Sequence, residues 1–153
     1  MKDREYHYTE CGLDNIYLVN GFDIDSEGNL TINDIHGLHK AIGRLLVTKP
    51  DLLSGKEIRF IRHTLDLSQT SLAKILGVSY QSVLRWETEK GTIQRTEDLF
   101  LKTLFLVYLN NSKGKVIYDK INELADLDAE DVKKKKITKI RMEESTTSWR
   151  NAA

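Results

Sequence analysis

Tyr80, Gln81, Leu84 and Arg85 recur at i, i+1, i+4 and i+5 within GVSYQSVLRWETEKG, residues 77–91. On a helix that spacing puts them on one side. The chemistry they offer is hydrogen-bond recognition. Gln pairs bidentately with an adenine edge and Arg with a guanine edge, while a Leu suits a thymine methyl. A helix face left to solvent would more typically carry Lys and Glu. Arg85 has a plainer partner too, Glu89 one turn on. The other side of the segment holds Val78, Val83 and Trp86, which suit burial.

Two further groupings could bind metal. DIDSEGNLTIND, residues 23–34, matches a calcium loop at Asp23, Asp25, Glu27, Gly28 and Leu30. Its last position is Asp34 where a longer Glu is needed, and a strand-like segment precedes it, so a polar β-turn is the better reading. His36 and His39 stand at i and i+3, with His7 and Cys11 far away in sequence; surface or boundary roles suit them better than a metal site. No Ser/His/Asp set, phosphate-cradling Gly loop or convergent carboxylate pair is present. Neither catalysis nor a cofactor is expected, and no metal.

The elements that must position the reading face follow from hydrophobic period. Residues 5–32 are rich in Tyr, Ile, Val and Phe and predict a small β-meander, with turns at CGLD and SEGN. Ile35, Leu38, Ile42, Leu45 and Leu46 then predict a helix capped by Asn33 and ended by Pro50, the only proline. Four helices follow. SGKEIRFIRHTL opens with a capping box, Ser54 and Glu57. SQTSLAKIL is capped by Ser68, SYQSVLRWE runs on from Ser79, and TEDLFLKTLFLVYL is capped by Thr96. Further on, Val116, Ile117, Ile121 and Leu124 predict one more helix face. DLDAED and KKKK are solvated charge blocks, and ITKIRMEESTTSWRN predicts a short hairpin with Trp149 packed.

The pattern L-x-L-S-Q-x-x-L-A-x-x-L-G-V-S-x-x-S-V-x-x-W-E at residues 65–87 is a helix-turn-helix signature. Two short helices can cross closely only where the contact residue is small, which is Ala73. Residues 54–110 resemble the helix-turn-helix domain of the Cro and lambda-repressor superfamily, called XRE-type. The resemblance implies that Gln69, at the start of the second helix, contacts DNA, and that Tyr80, Gln81, Ser82 and Arg85 read bases. It also implies a structural ion pair between Arg62 and Glu87. The set expected to meet DNA is therefore Gln69, Ser79, Tyr80, Gln81, Ser82, Leu84 and Arg85. Gln69 has a plainer role as an extension of the Ser68 cap, and Ser82 as a small residue near a phosphate.

YHYTECGLDNIYLVNGF followed by DIHGLHKAIGRLLVTKPDLLSGKEIRFIR resembles MqsA-type antitoxins and their regulator relatives. Those relatives hold zinc with paired CxxC motifs, whereas this chain has one cysteine, Cys11, so no zinc is expected.

The net charge is zero, but residues 1–34 hold two basic and eight acidic side chains, a balance of −6, and the rest is mildly basic. Phosphate repels such an acidic segment, so it should face away from nucleic acid. It is also where a basic toxin would dock. No signal peptide or bilayer-spanning run is read, and one cysteine suits a reducing cytosol. Nine of the eleven residues from Leu99 to Leu109 are apolar, more than one helix stripe requires. Either the N-terminal part or the tail covers the surplus, or a second copy does; of these a homodimer through Phe100, Leu101, Phe105 and Tyr108 is favoured.

The expected fold is mainly α with a small β part: a lambda-repressor-like helix-turn-helix bundle after an N-terminal β-meander and helix, with a short C-terminal hairpin. The segments are 1–50, acidic; 51–111, DNA-binding; and 112–153, a helical extension and tail. The expected function is a cytoplasmic, sequence-specific transcriptional regulator, a repressor binding a double-stranded operator as a dimer. The alternative is a type II antitoxin that neutralises a partner toxin and represses its own operon.

Overall fold

In the computed structural model, residues 5–110 and 112–126 are described, together with 139, 141–144, 146 and 148–152 of the tail. Among them the chain is mainly helical with a small β part. Two hairpins come first, β1 (Tyr6–His7) with β2 (Tyr17–Leu18), and β3 (Phe22–Ile24) with β4 (Leu30–Ile32). Six helices follow: α1 (Ile35–Thr48), α2 (Gly55–Thr64), α3 (Gln69–Leu76), α4 (Tyr80–Glu87), α5 (Arg95–Leu109) and α6 (Ser112–Ala125). The tail hairpin pairs β5 (Met142–Glu144) with β6 (Trp149–Asn151). No helix among the described residues is long and apolar enough to cross a membrane.

The expected meander is two separate hairpins. Gly21, at φ 77°, turns the chain between β2 and β3, and its carbonyl accepts the Asn33 N–H instead of pairing the strands into one sheet. The calcium-like loop is a polar turn. One oxygen of Asp25 accepts the backbone N–H groups of Glu27 and Asn29, and the other accepts the Asn29 side-chain amide. Helix α1 is capped by Asp34 rather than Asn33: Asp34 adopts φ 47°, and its carboxylate accepts the Gly37 N–H at 3.1 Å. Helix α5 starts before the expected Thr96 cap. Gln94 holds the cap position without a side-chain bond, and the acidic pair Glu97 and Asp98 sits in the first turn, where the helix dipole favours it.

Packing of α1 on α5 accounts for part of the excess apolarity of α5. Gly43 lets the two helices approach so closely that a β-carbon there would lie 2.2 Å from the Phe105 ring. Ile42, Leu46 and Val47 of α1 are buried with Leu101, Leu104 and Phe105 of α5. Leu101 and Phe105, expected between copies, are therefore core residues of this chain. Helix α6 adds a further cover. Its Tyr118 hydroxyl donates to the Leu65 carbonyl at 3.0 Å, and its ring meets Tyr108 edge-on. The inward face of α6 is Gly114, Tyr118 and Ile121, so Val116, Ile117 and Leu124 are exposed, contrary to the expected stripe. Trp149 is 65% exposed rather than packed, because a two-stranded hairpin has no second layer of its own. Beyond Asp126, the DLDAED and KKKK blocks lie outside the described residues.

The start of α2 is fixed by three carboxylates from three places. Asp98 of α5 accepts the Leu53 N–H at 2.8 Å, Glu57 accepts the Ser54 N–H at 2.9 Å, and Glu89 accepts the Gly55 N–H at 3.0 Å. The last two satisfy donors that the start of the helix would otherwise leave open, and all three carboxylates lie at the end where the dipole welcomes negative charge. Lys102 completes the joint. Its ammonium pairs with Asp98 at 2.8 Å and donates to the Lys49 and Asp51 carbonyls, so it ties α5 to the connector between α1 and α2.

Asp98 is 2% and Lys102 6% exposed. Asp98→Ala strands a buried ammonium and frees the Leu53 N–H, and should cost about 3–5 kcal/mol in chemical denaturation. Loss below about 1 kcal/mol, the range of a surface pair, would show that the joint is dispensable.

Candidate nucleic-acid interface

Local sequence dictates how α3 turns into α4. Ser68 caps α3 by accepting the Ser71 N–H at 3.0 Å. Gly77 ends it at φ 68°, a left-handed conformation that a side chain would strain. Its N–H bonds the Lys74 carbonyl at 3.3 Å, and the Val78 N–H bonds the Ala73 carbonyl at 3.0 Å, the pair of bonds that closes a Schellman-type stop. Ser79 then caps α4 by accepting the Ser82 N–H at 3.2 Å. Two helices thus meet across three residues, Gly77 to Ser79, with buried Leu72 and Ala73 of α3 available to buried Val83 and Trp86 of α4.

The far end of α4 is held as firmly. Glu87 forms a fork with Arg62 of α2, Nε to Oε1 at 2.6 Å and Nη2 to Oε2 at 3.1 Å. The third guanidinium nitrogen donates to the Leu67 carbonyl at 3.0 Å, just before α3. These side chains are 9% and 4% exposed, so the expected structural pair is present and nearly dry. The Trp86 carbonyl abuts Gly55, where a β-carbon would come within 2.2 Å of it. Glu89, at φ 59°, turns its carboxylate to the Gly55 N–H and away from Arg85, its plainer alternative partner. Beside this cluster, burial and the charges of Arg62 and Arg59 lower the His63 pKa.

What remains outward is the face singled out from sequence. Tyr80, Gln81, Leu84 and Arg85 are exposed, and Thr88 continues the same side. Arg85 lies along Gly91 and has no ion-pair partner among the described residues. The two serines differ from expectation. Their hydroxyls meet at 2.9 Å and serve the α4 cap, and Ser82 is half-buried. Gln69 also has prior employment: its amide donates to Glu87 Oε2, which makes it part of the ion-pair cluster rather than of the Ser68 cap. Of the residues expected between copies, Phe100 is exposed, Tyr108 is half-buried between the Phe105 and Tyr118 rings, and Leu101 and Phe105 are inaccessible. The apolar side chains left open on α5 are Leu99, Phe100 and Leu106.

Sequence reading missed Glu89, Asp98 and Lys102 as positioning groups. The last two carried a readable signal, an acid and a base at i and i+4 inside an apolar run. Glu89 carried none, because its partner is a backbone N–H 34 residues earlier. Compared with protein-family models, with curated proteins and with solved structures, the chain matches none.

Glu87→Ala leaves the Arg62 charge buried and releases Gln69. It should lower stability by about 3–5 kcal/mol in denaturant titration, the cost of breaking a buried pair from one side. Replacing Arg62 and Glu87 together by Met and Leu should recover most of that loss. A double variant no more stable than Glu87→Ala would contradict the assignment.

Proposed function

We propose that the chain is a sequence-specific DNA-binding regulator of the helix-turn-helix kind, a repressor that binds its operator as a dimer, with α4 lying in the major groove. The observation that carries this reading is the division of α4. Val83, Trp86 and Glu87 fasten one side, while Tyr80, Gln81, Leu84 and Arg85 stand exposed together on the other. A helix held this rigidly can present side chains in fixed register to base edges. Gln81 and Arg85 supply the bidentate groups, Leu84 an apolar contact, and Tyr80 a contact near the helix start. Gln69, with one amide N–H already on Glu87, would approach a phosphate with what remains of its amide. Ser79 and Ser82 contribute through the backbone they cap.

The acidic balance of residues 1–34 leaves the rest only modestly basic. Affinity therefore depends on base contacts and on two recognition helices acting together, roughly one DNA turn apart. Leu99, Phe100 and Leu106 form the open apolar face of α5 on which a second copy would sit.

A second reading, an antitoxin that neutralises a basic partner, draws on the N-terminal hairpins. There Tyr17, Val19 and Ile24 are exposed within the acidic segment. Relief of a neighbouring gene product's toxicity on co-expression, lost on truncation of residues 1–34, supports it; no relief removes it.

A footprint of the purified protein on its own upstream region tests the main reading. Gln81→Ala and Arg85→Ala should each weaken operator binding by about 1–3 kcal/mol and relax preference at one base pair. Wild-type binding by both variants means that α4 does not read DNA. Light scattering after size exclusion should give a dimer at micromolar concentration and a monomer for Phe100→Glu. A wild-type monomer counts against dimeric binding.

A further inference from the structure

Between the Glu10–Gly12 turn and the outer side of α2 lies a cleft of about 650 Å³, walled in part by Cys11, His39, Arg59, Phe60, His63 and Glu87. Its size falls within the range of small-molecule sites, roughly 300–1,000 Å³. Most charges on its wall are already engaged. Lys56 pairs with Asp14, Glu10 accepts the Tyr6 hydroxyl, and Glu87 holds Arg62 and Gln69. Arg59 and His63, at i and i+4 on α2, are different. Among the described residues neither side chain has a hydrogen-bond or ion-pair partner.

An unpaired guanidinium on a concave wall offers two parallel N–H donors, the geometry that a carboxylate matches. The His63 ring, one turn on, adds an N–H. Beside them the Phe60 and His39 rings meet edge-on with centroids 5.5 Å apart, which gives the cleft an aromatic wall. Nucleic acid suits this place poorly. A duplex is too wide for it, and Glu10 with Asp14 in the acidic first segment repels a polyanion. The same Glu10 disfavours a ligand with a second negative charge.

We propose that this cleft binds a small organic monocarboxylate, its oxygens forked by Arg59 and assisted by His63, its apolar body against Phe60 and His39. An occupant would lie beside Glu87, the carboxylate that also fastens α4. The proposal does not rest on the DNA-binding reading, and its test uses no DNA.

Benzoate is the probe, titrated into the full chain at constant ionic strength and followed by ¹H–¹⁵N correlation spectra. Saturable shifts are expected at Gly12, Arg59 and His63, with a Kd of about 1 mM or tighter. Arg59→Gln should weaken binding at least about tenfold, the loss of roughly one charged hydrogen-bonded contact. Arg59 is exposed and unpaired, so an unchanged melting temperature will show that this variant folds. Orthophosphate should bind more weakly than benzoate. The proposal is overturned by non-saturable shifts, by equal benzoate affinity in Arg59→Gln, or by tighter binding of orthophosphate than of benzoate.

Discussion

Glu87 is the carboxylate on which the arrangement of the three central helices depends. It ends α4, forks Arg62 in the last turn of α2, and takes the Gln69 amide at the first residue of α3. Arg62 extends the cluster to the Leu67 carbonyl in the loop between α2 and α3. A charge pair this dry gains little over an apolar contact in net stability. Its consequence is geometric: few other placements of α4 satisfy every donor and acceptor in the cluster. The outward side of α4 is free of structural duty because the inward side is so fully committed.

A second polar joint frames the first. Asp98, Glu57 and Glu89 take three successive backbone N–H groups at the start of α2, and Lys102 binds the connector that leads into it. Helix α2 is therefore pinned at its first turn by α5 and the loop after α4, and further along by Glu87. Because α1 crosses α5 at Gly43, the N-terminal hairpins and α1 are carried by the same frame. The Tyr8 hydroxyl reaches His39 at 2.8 Å, and Lys56 meets Asp14, so the first hairpin rests on both α1 and α2. The cleft beneath it is a product of that docking.

Local chemistry was the part legible in sequence. Ser54 with Glu57, Ser68, Ser79 and Gly77 mark helix ends through bonds to neighbours within five residues, and all lie where their types suggest. The exposed side of α4 was legible for the same reason, since helical spacing alone decides which residues share a face. Contacts between distant segments were not legible. Leu101 and Phe105 were read as facing a second copy because nothing in the chain's order announces that Gly43 would admit Phe105. The α6 stripe failed similarly: Tyr118 goes inward to reach a carbonyl 53 residues away, and the helix rotates with it. Asn33 and Asp34 compete for one cap, and Asp34 takes it only by adopting a left-handed backbone that its type tolerates.

As proposed, the exposed side of α4 meets base edges in a duplex, two copies at a time. Selection of bound duplexes from a random-sequence pool by the purified full chain tests it most directly. Enrichment of a two-fold-symmetric sequence with half-site centres about 10 base pairs apart is expected. A pool that returns no shared sequence after repeated rounds, from protein shown to be folded, would contradict it.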